Sequence, residues 1–237
     1  MLYRDVVEKA KKQKRIGFGN VVFEDCKTWL RGDQINLWTY WQGYQLTDID
    51  KKGVDILLVG QEWVCHKRNL EVCERINKIQ NGVPDVSYMT NASHTDKRLA
   101  EMFKAFGKEI DITSNTPGMR LFFTNYSLGY RKGSETGGMT KKIMSQDSEL
   151  FTDLVEAIHP RIIICLGKIT YEMVIGHPIK RFCEKLKGGI PFREAYPANA
   201  EIIVYGVAHP GARGLYNIGG SEEVMKQSWI KIAEDMY

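Results

Sequence analysis

Apolar residues along this chain fall into two rhythms. Unbroken apolar runs read as strands buried on both faces, and apolar residues spaced three and four apart read as helices packed by one side. Four runs are of the first kind. Ile56-Leu57-Leu58-Val59 leads into Gly60, Met119 to Thr124 runs into Asn125, Arg161 to Cys165 ends at Leu166-Gly167, and a run over 201–207 ends before His209. Helical spacing appears over 3–15 with Val6, Val7 and Ala10 inward, and over 96–107 with Leu99, Met102, Phe103 and Phe106. It appears again from Leu150 to Ile158, where His159-Pro160 stops it because proline disfavours helix in the residue before it. A helix over 168–175 and a closing helix carrying Val224, Trp229 and Ile232 complete the pattern. Strands without polar alternation, separated by helices, predict a mainly parallel sheet covered on both faces. The expected fold is therefore α/β: a three-layer α/β/α sandwich on a central, mainly parallel, four-stranded sheet. It forms one domain over 1–237, with 65–118 as an unassigned helical insertion within it.

Composition narrows the picture little. The length of 237 residues is ample for one core, and 43% hydrophobic with 26% charged residues is ordinary for a globular chain. A net charge of +4 permits a polyanionic partner without requiring one. Met1 to Arg15 is too charged for a secretory signal and no apolar run is long enough to span a bilayer, so a cytoplasmic chain with no membrane partner is expected. The five cysteines lack any C-x-x-C pair, and Cys65-His66 with Cys73 departs from zinc spacing. Free thiols, no metal and no cofactor are expected. Trp29, Trp38, Trp41, Tyr40 and Tyr44 could stack on bases or fill core volume, and core is the simpler reading.

Chemistry concentrates where the strands end. In open parallel sheets, ligands bind beyond the carboxyl ends of the strands. Gly60-Gln61-Glu62-Trp63-Val64, Asn125 and His209-Pro210-Gly211-Ala212-Arg213 all occupy such positions. Taken singly, a loop glutamate, a capping asparagine and a turn histidine are unremarkable. Shared position predicts that Glu62 and His209 meet across one pocket with Asn125 on its floor.

These residues also carry a resemblance. Gly60-Gln61-Glu62-Trp63-Val64 resembles the G-Q-D-P-Y or G-E-A-P-G motif of the uracil-DNA glycosylase superfamily, and His209-Pro210-Gly211-Ala212-Arg213 resembles its H-P-S-P-L motif. Leu121 to Asn125 with Arg131 downstream is similar to the family's I-T-N-V-V-K-C-R-P segment, and Pro160 through Gly167 to its P-x-x-I-x-x-L-G strand. The likeness covers roughly 54–64 and 119–234, in order. It implies a glycosylase-type fold and a DNA N-glycosylase that removes a flipped, deaminated or modified base such as uracil. Glu62 would position water and stabilise the sugar cation, and His209 would donate to the base's carbonyl oxygen. Asn125, with Gln61, Trp63 and Val64, would recognise the base. Gly60 and Gly211 would admit the backbone of DNA, single-stranded or damaged, and Arg131, Lys132, Lys141, Lys142 and Arg213 would contact phosphates. Relatives place a gap-filling side chain at the position of Arg213.

The departures bear on specificity. Val64 stands where relatives use tyrosine to exclude the methyl group of thymine, Trp63 replaces proline, and the four cluster-binding cysteines of the thermophile-type branch are missing. A monomeric hydrolase is the leading expectation. A catalytically silent nucleic-acid or nucleotide-binding protein, or an enzyme on another nucleobase compound, remains the alternative.

Overall fold

The computed structural model describes residues 1–23, 53–65, 94–107, 120–132 and 137–237. The tryptophan-rich segment and residues 66–93 of the expected insertion, His66 and Cys73 with them, lie outside the described residues.

The sheet is built from the apolar runs. β2 (Val54–Gly60), β4 (Leu121–Asn125), β6 (Pro160–Leu166) and β8 (Asn199–Val207) are mutually parallel, and the order across the sheet is β4-β2-β6-β8-β7. The fifth strand, β7 (Phe192–Tyr196), pairs antiparallel with β8 at one edge and corrects the expected count of four. Its sequence, Phe-Arg-Glu-Ala-Tyr, alternates partly buried and exposed residues, as an edge strand does, so it lacks the unbroken apolar run that marks the others.

Helices cover both faces. Leu57, Phe122, Ile163 and Val204 are register partners and share one side of the sheet. On that side Phe122 meets Tyr3 of α1 (Tyr3–Lys12) edge-on at 5.7 Å. Gly206, two residues beyond Val204, lies under Tyr171 of α5 (Lys168–Ile175). Tyr205 points the other way and its hydroxyl donates to Asp235 of α8 (Glu222–Met236) at 2.9 Å. Trp229 of α8 then packs against Phe103 of α2 (His94–Phe103), ring centroids 5.0 Å apart. The core lies between these layers, where Ile56, Leu57, Leu58, Val59, Ile163 and Ile164 are fully buried.

The expected helix stop is visible in detail. α4 (Ser148–Ile158) ends at His159, which adopts a left-handed conformation (φ 45°), and Pro160 opens β6. α1 is shorter than its pattern suggests and ends at Lys12. Lys141 and Lys142 begin α3 (Lys141–Met144), capped by the Thr140 hydroxyl, which accepts from the Ile143 N–H at 3.3 Å. Trp63 and Val64 belong to a short strand rather than a loop. β3 (Trp63–Cys65) joins β5 (Tyr130–Lys132) and β1 (Val21–Val22) in a second sheet of order β1-β5-β3. Two short helices, α6 (Phe182–Lys187) and α7 (Ala212–Asn217), complete the architecture. No helix among the described residues is long and apolar enough to cross a membrane.

Candidate functional site at the carboxyl edge of the sheet

Four parallel strands release their chain at one edge, and the expected residues sit there. β2 and β4 end level, with Gly60 and Asn125 as register partners. The chain then stays paired beyond the sheet: the Tyr126 N–H donates to the Gly60 carbonyl at 2.9 Å and the Ser127 N–H to the Gln61 carbonyl at 3.1 Å. A Cβ at position 60 would run into Asn125 Oδ1, so the glycine leaves room for the amide where it lies. Asn125 is 6% exposed, so its amide lies across the end of β2 under cover of the loops.

Two residues past Gly60, the Glu62 carboxylate forms an ion pair with Arg131 Nε at 2.9 Å. The two side chains are 9% and 14% exposed. Parallel pairing of β3 with β5 sets Val64 opposite Arg131, which holds the guanidinium beside the 60–62 loop. Burial pushes the Glu62 carboxyl above the usual range, and the attraction of Arg131 offsets part of that rise.

His209 arrives from β8, two strands from β2 with β6 between them, a lateral offset of about 10 Å at the usual strand spacing. Its Nδ1 accepts the Gly211 N–H at 2.9 Å. In the neutral ring that acceptor role leaves the proton on Nε2, so the imidazole offers a donor. The ring reaches solvent, yet the protein around it lowers its pKa below the ordinary histidine value by desolvation. The turn is braced from behind: Arg98 of α2 donates to the Pro210 carbonyl at 3.1 Å and pairs with Glu222 of α8 at 2.6 Å.

The cations expected along the rim divide. Arg131 is engaged with Glu62, and Lys141 with the buried Glu172 of α5 at 2.6 Å. Lys142 and Arg213 are exposed. The side chains of Trp63, Val64 and Lys132 lie outside the described residues. Among the described residues no group of three or more His, Cys, Asp and Glu converges as metal ligands do.

Two clusters with a bearing on the site escape a reading of strand ends. Asp147, 1% exposed, pairs with Arg15 Nε and accepts the Leu128 N–H at 2.8 Å, which fixes the loop leaving Asn125. Glu172 draws in Lys141, Lys168 and the Ile179 N–H, the last at 2.7 Å. Arg15 and Asp147 are remote in sequence and give no local signal; the Lys168–Glu172 spacing of one helical turn was the visible hint. Compared with models of known protein families and with curated proteins, the sequence matches none.

Proposed function

We propose that this chain is an N-glycosylase of the uracil-DNA glycosylase type, hydrolysing the bond between sugar and a deaminated or modified base extruded from DNA. The observation that supports it most is the pairing of chemistries at one sheet edge. A buried carboxylate, Glu62, follows β2, and a neutral imidazole with its proton on Nε2, His209, follows β8. Breaking a glycosidic bond leaves positive character on the sugar and negative charge on the departing base. Glu62 would stand beside the first and orient water; His209 would donate to the carbonyl oxygen that gains charge. Asn125 presents an amide, donor and acceptor together, suited to the polar edge of a base.

His209 suits this role in its neutral form. Protonation of Nδ1 would set its N–H against the Gly211 N–H and break the turn, so lowered basicity preserves both turn and donor. Arg131 serves Glu62 in a related way by favouring the ionised carboxylate against the burial that disfavours it.

The same ion pair favours a second reading. A carboxylate already neutralised by Arg131 at 2.9 Å also suits a silent protein that binds nucleic acid through this edge. Incision of labelled oligonucleotides bearing uracil, hypoxanthine, xanthine or thymine mismatches, followed by alkali, separates the two. Cleavage that disappears in His209→Ala supports the enzyme, and wild-type binding with no cleavage on any substrate supports the silent reading.

A further inference from the structure

One aromatic residue on this edge is left unexplained by packing. Tyr3, Tyr126, Tyr171, Tyr196 and Tyr205 are each 7% exposed or less, whereas Tyr216 is 81% exposed. The other exposed tyrosine among the described residues, Tyr237, ties its hydroxyl to the Phe106 carbonyl at 3.3 Å. Tyr216 belongs to α7, the short helix that follows the His209 turn without a break and buries none of its residues.

That helix is nevertheless held firmly. A Cβ at Gly214 would run into the His209 carbonyl oxygen, so the helix backbone rests directly on the histidine's own backbone. The Leu215 N–H donates to the Gly211 carbonyl at 3.1 Å, and the Gly220 N–H to the Leu215 carbonyl at 2.9 Å. Ile218, just past the helix, is 4% exposed and anchors its far end. Arg213 lies one turn before Tyr216 on the same side and is exposed. Among the described residues no carboxylate pairs with it, unlike Arg131 and Lys141. A rigid mount thus displays a bare ring and a cation beside His209.

We propose that α7 is a stacking platform for single-stranded DNA, with a base lying on Tyr216 and the neighbouring phosphate on Arg213. This rests on the reading that the His209 edge receives a nucleobase, and extends it to the flanking nucleotide. Bases offer a flat π-face whatever their identity, so an exposed tyrosine holds them without choosing among sequences. Tyr216 is the one large apolar side chain that α7 exposes, which fits that task better than protein docking across a contiguous apolar patch.

The test uses fluorescein-labelled oligothymidylate without any lesion, read by anisotropy over a range of salt. Tyr216→Ala should weaken binding roughly tenfold with an unchanged salt slope, since stacking releases no counterions. Tyr216→Trp should restore affinity, and Arg213→Gln should lower the slope by about 0.7. Tyr216→Ala binding within about twofold of wild type would overturn the platform, as would a wild-type protein that ignores the oligonucleotide. A fall in melting temperature accompanying the loss would assign Tyr216 to the fold and also overturn it. Tyr216-dependent binding by a protein that cleaves no substrate would topple the glycosylase reading and leave the platform standing.

Discussion

Glu62 and Glu172 are two glutamates of similar burial and opposite character. Their side chains are 9% and 3% exposed, and burial alone would raise both pKa values. Glu172 meets Lys141, Lys168 and the Ile179 N–H, and these donors overcome desolvation and hold its carboxyl down at about 2. Among the described residues Glu62 meets one cation, Arg131, and its pKa stays raised. Donor number is the visible difference between them: three donors meet Glu172 and one described cation meets Glu62. The Glu172 carboxylate is saturated and binds α3, α5 and the loop at Ile179 together; among the described residues the Glu62 carboxylate keeps oxygen lone pairs without a donor, as its proposed role requires.

The comparison is tested most sharply at the edge proposed for catalysis. If Glu62 is the working carboxylate, Glu62→Gln should lower base release by roughly 10²-fold or more while leaving the melting temperature close to wild type. His209→Ala should cost roughly 10²–10³ in rate through loss of the Nε2 donor. Glu172→Gln should do the reverse. Three donors lose a charged partner, so stability should fall by about 1.5–3 kcal/mol in urea titration, with release per folded molecule unchanged. A rate loss in Glu172→Gln without destabilisation would dissolve the distinction.

Acid should then pull the two apart. The depressed pKa of Glu172 gives stability that is present above the ordinary glutamate value of 4.5 and is lost as pH falls toward about 2. Unfolding titrations should therefore show an acid-dependent component in wild type that is absent from Glu172→Gln. Glu62 has the opposite sign: its raised pKa makes ionisation unfavourable in the fold as pH rises past 4.5. Its signature belongs in the activity profile, whose acid limb should lie above the usual glutamate range. Arg131→Gln should move that limb higher still, and Arg131→Lys should restore part of it. An unmoved limb in both variants would show that Arg131 does not govern Glu62.

The smallest effect is expected from Lys142, a cation that takes no part in either cluster. Lys142→Ala should leave stability and rate unchanged, and if DNA crosses α3 it should reduce the salt slope of binding by about 0.7–0.9.

Much of this was legible in the residues. Apolar runs ending at Gly60, Asn125, Leu166 and Val207 mark the four parallel strands, because burial on both faces leaves no polar alternation. The antiparallel edge β7 was hidden because only half of it needs to be apolar. Strand-end position was enough to bring Asn125, Glu62 and His209 to one edge. It did not reveal that Arg131 and Lys141, expected on phosphates, are taken up by carboxylates, since partner choice depends on contacts between segments remote in sequence. Nor did it reveal Asp147, whose burial against Arg15 is a tertiary fact alone.

The order of the strands across the sheet also sets the order in which this molecule becomes itself. The central strand β6 is joined to β2 through Val54 and Pro160, and to β8 on its other side. On the ribosome, the chain up to Ile158 holds only β2 and β4 of the main sheet, with one long edge of β2 awaiting a partner not yet made. Pairings of this separation close slowly, and open edges invite other chains. Nascent protein should therefore be most vulnerable to aggregation just before β6 emerges, and the His209 turn cannot reach the sheet edge that carries Glu62 until β8 has docked against it.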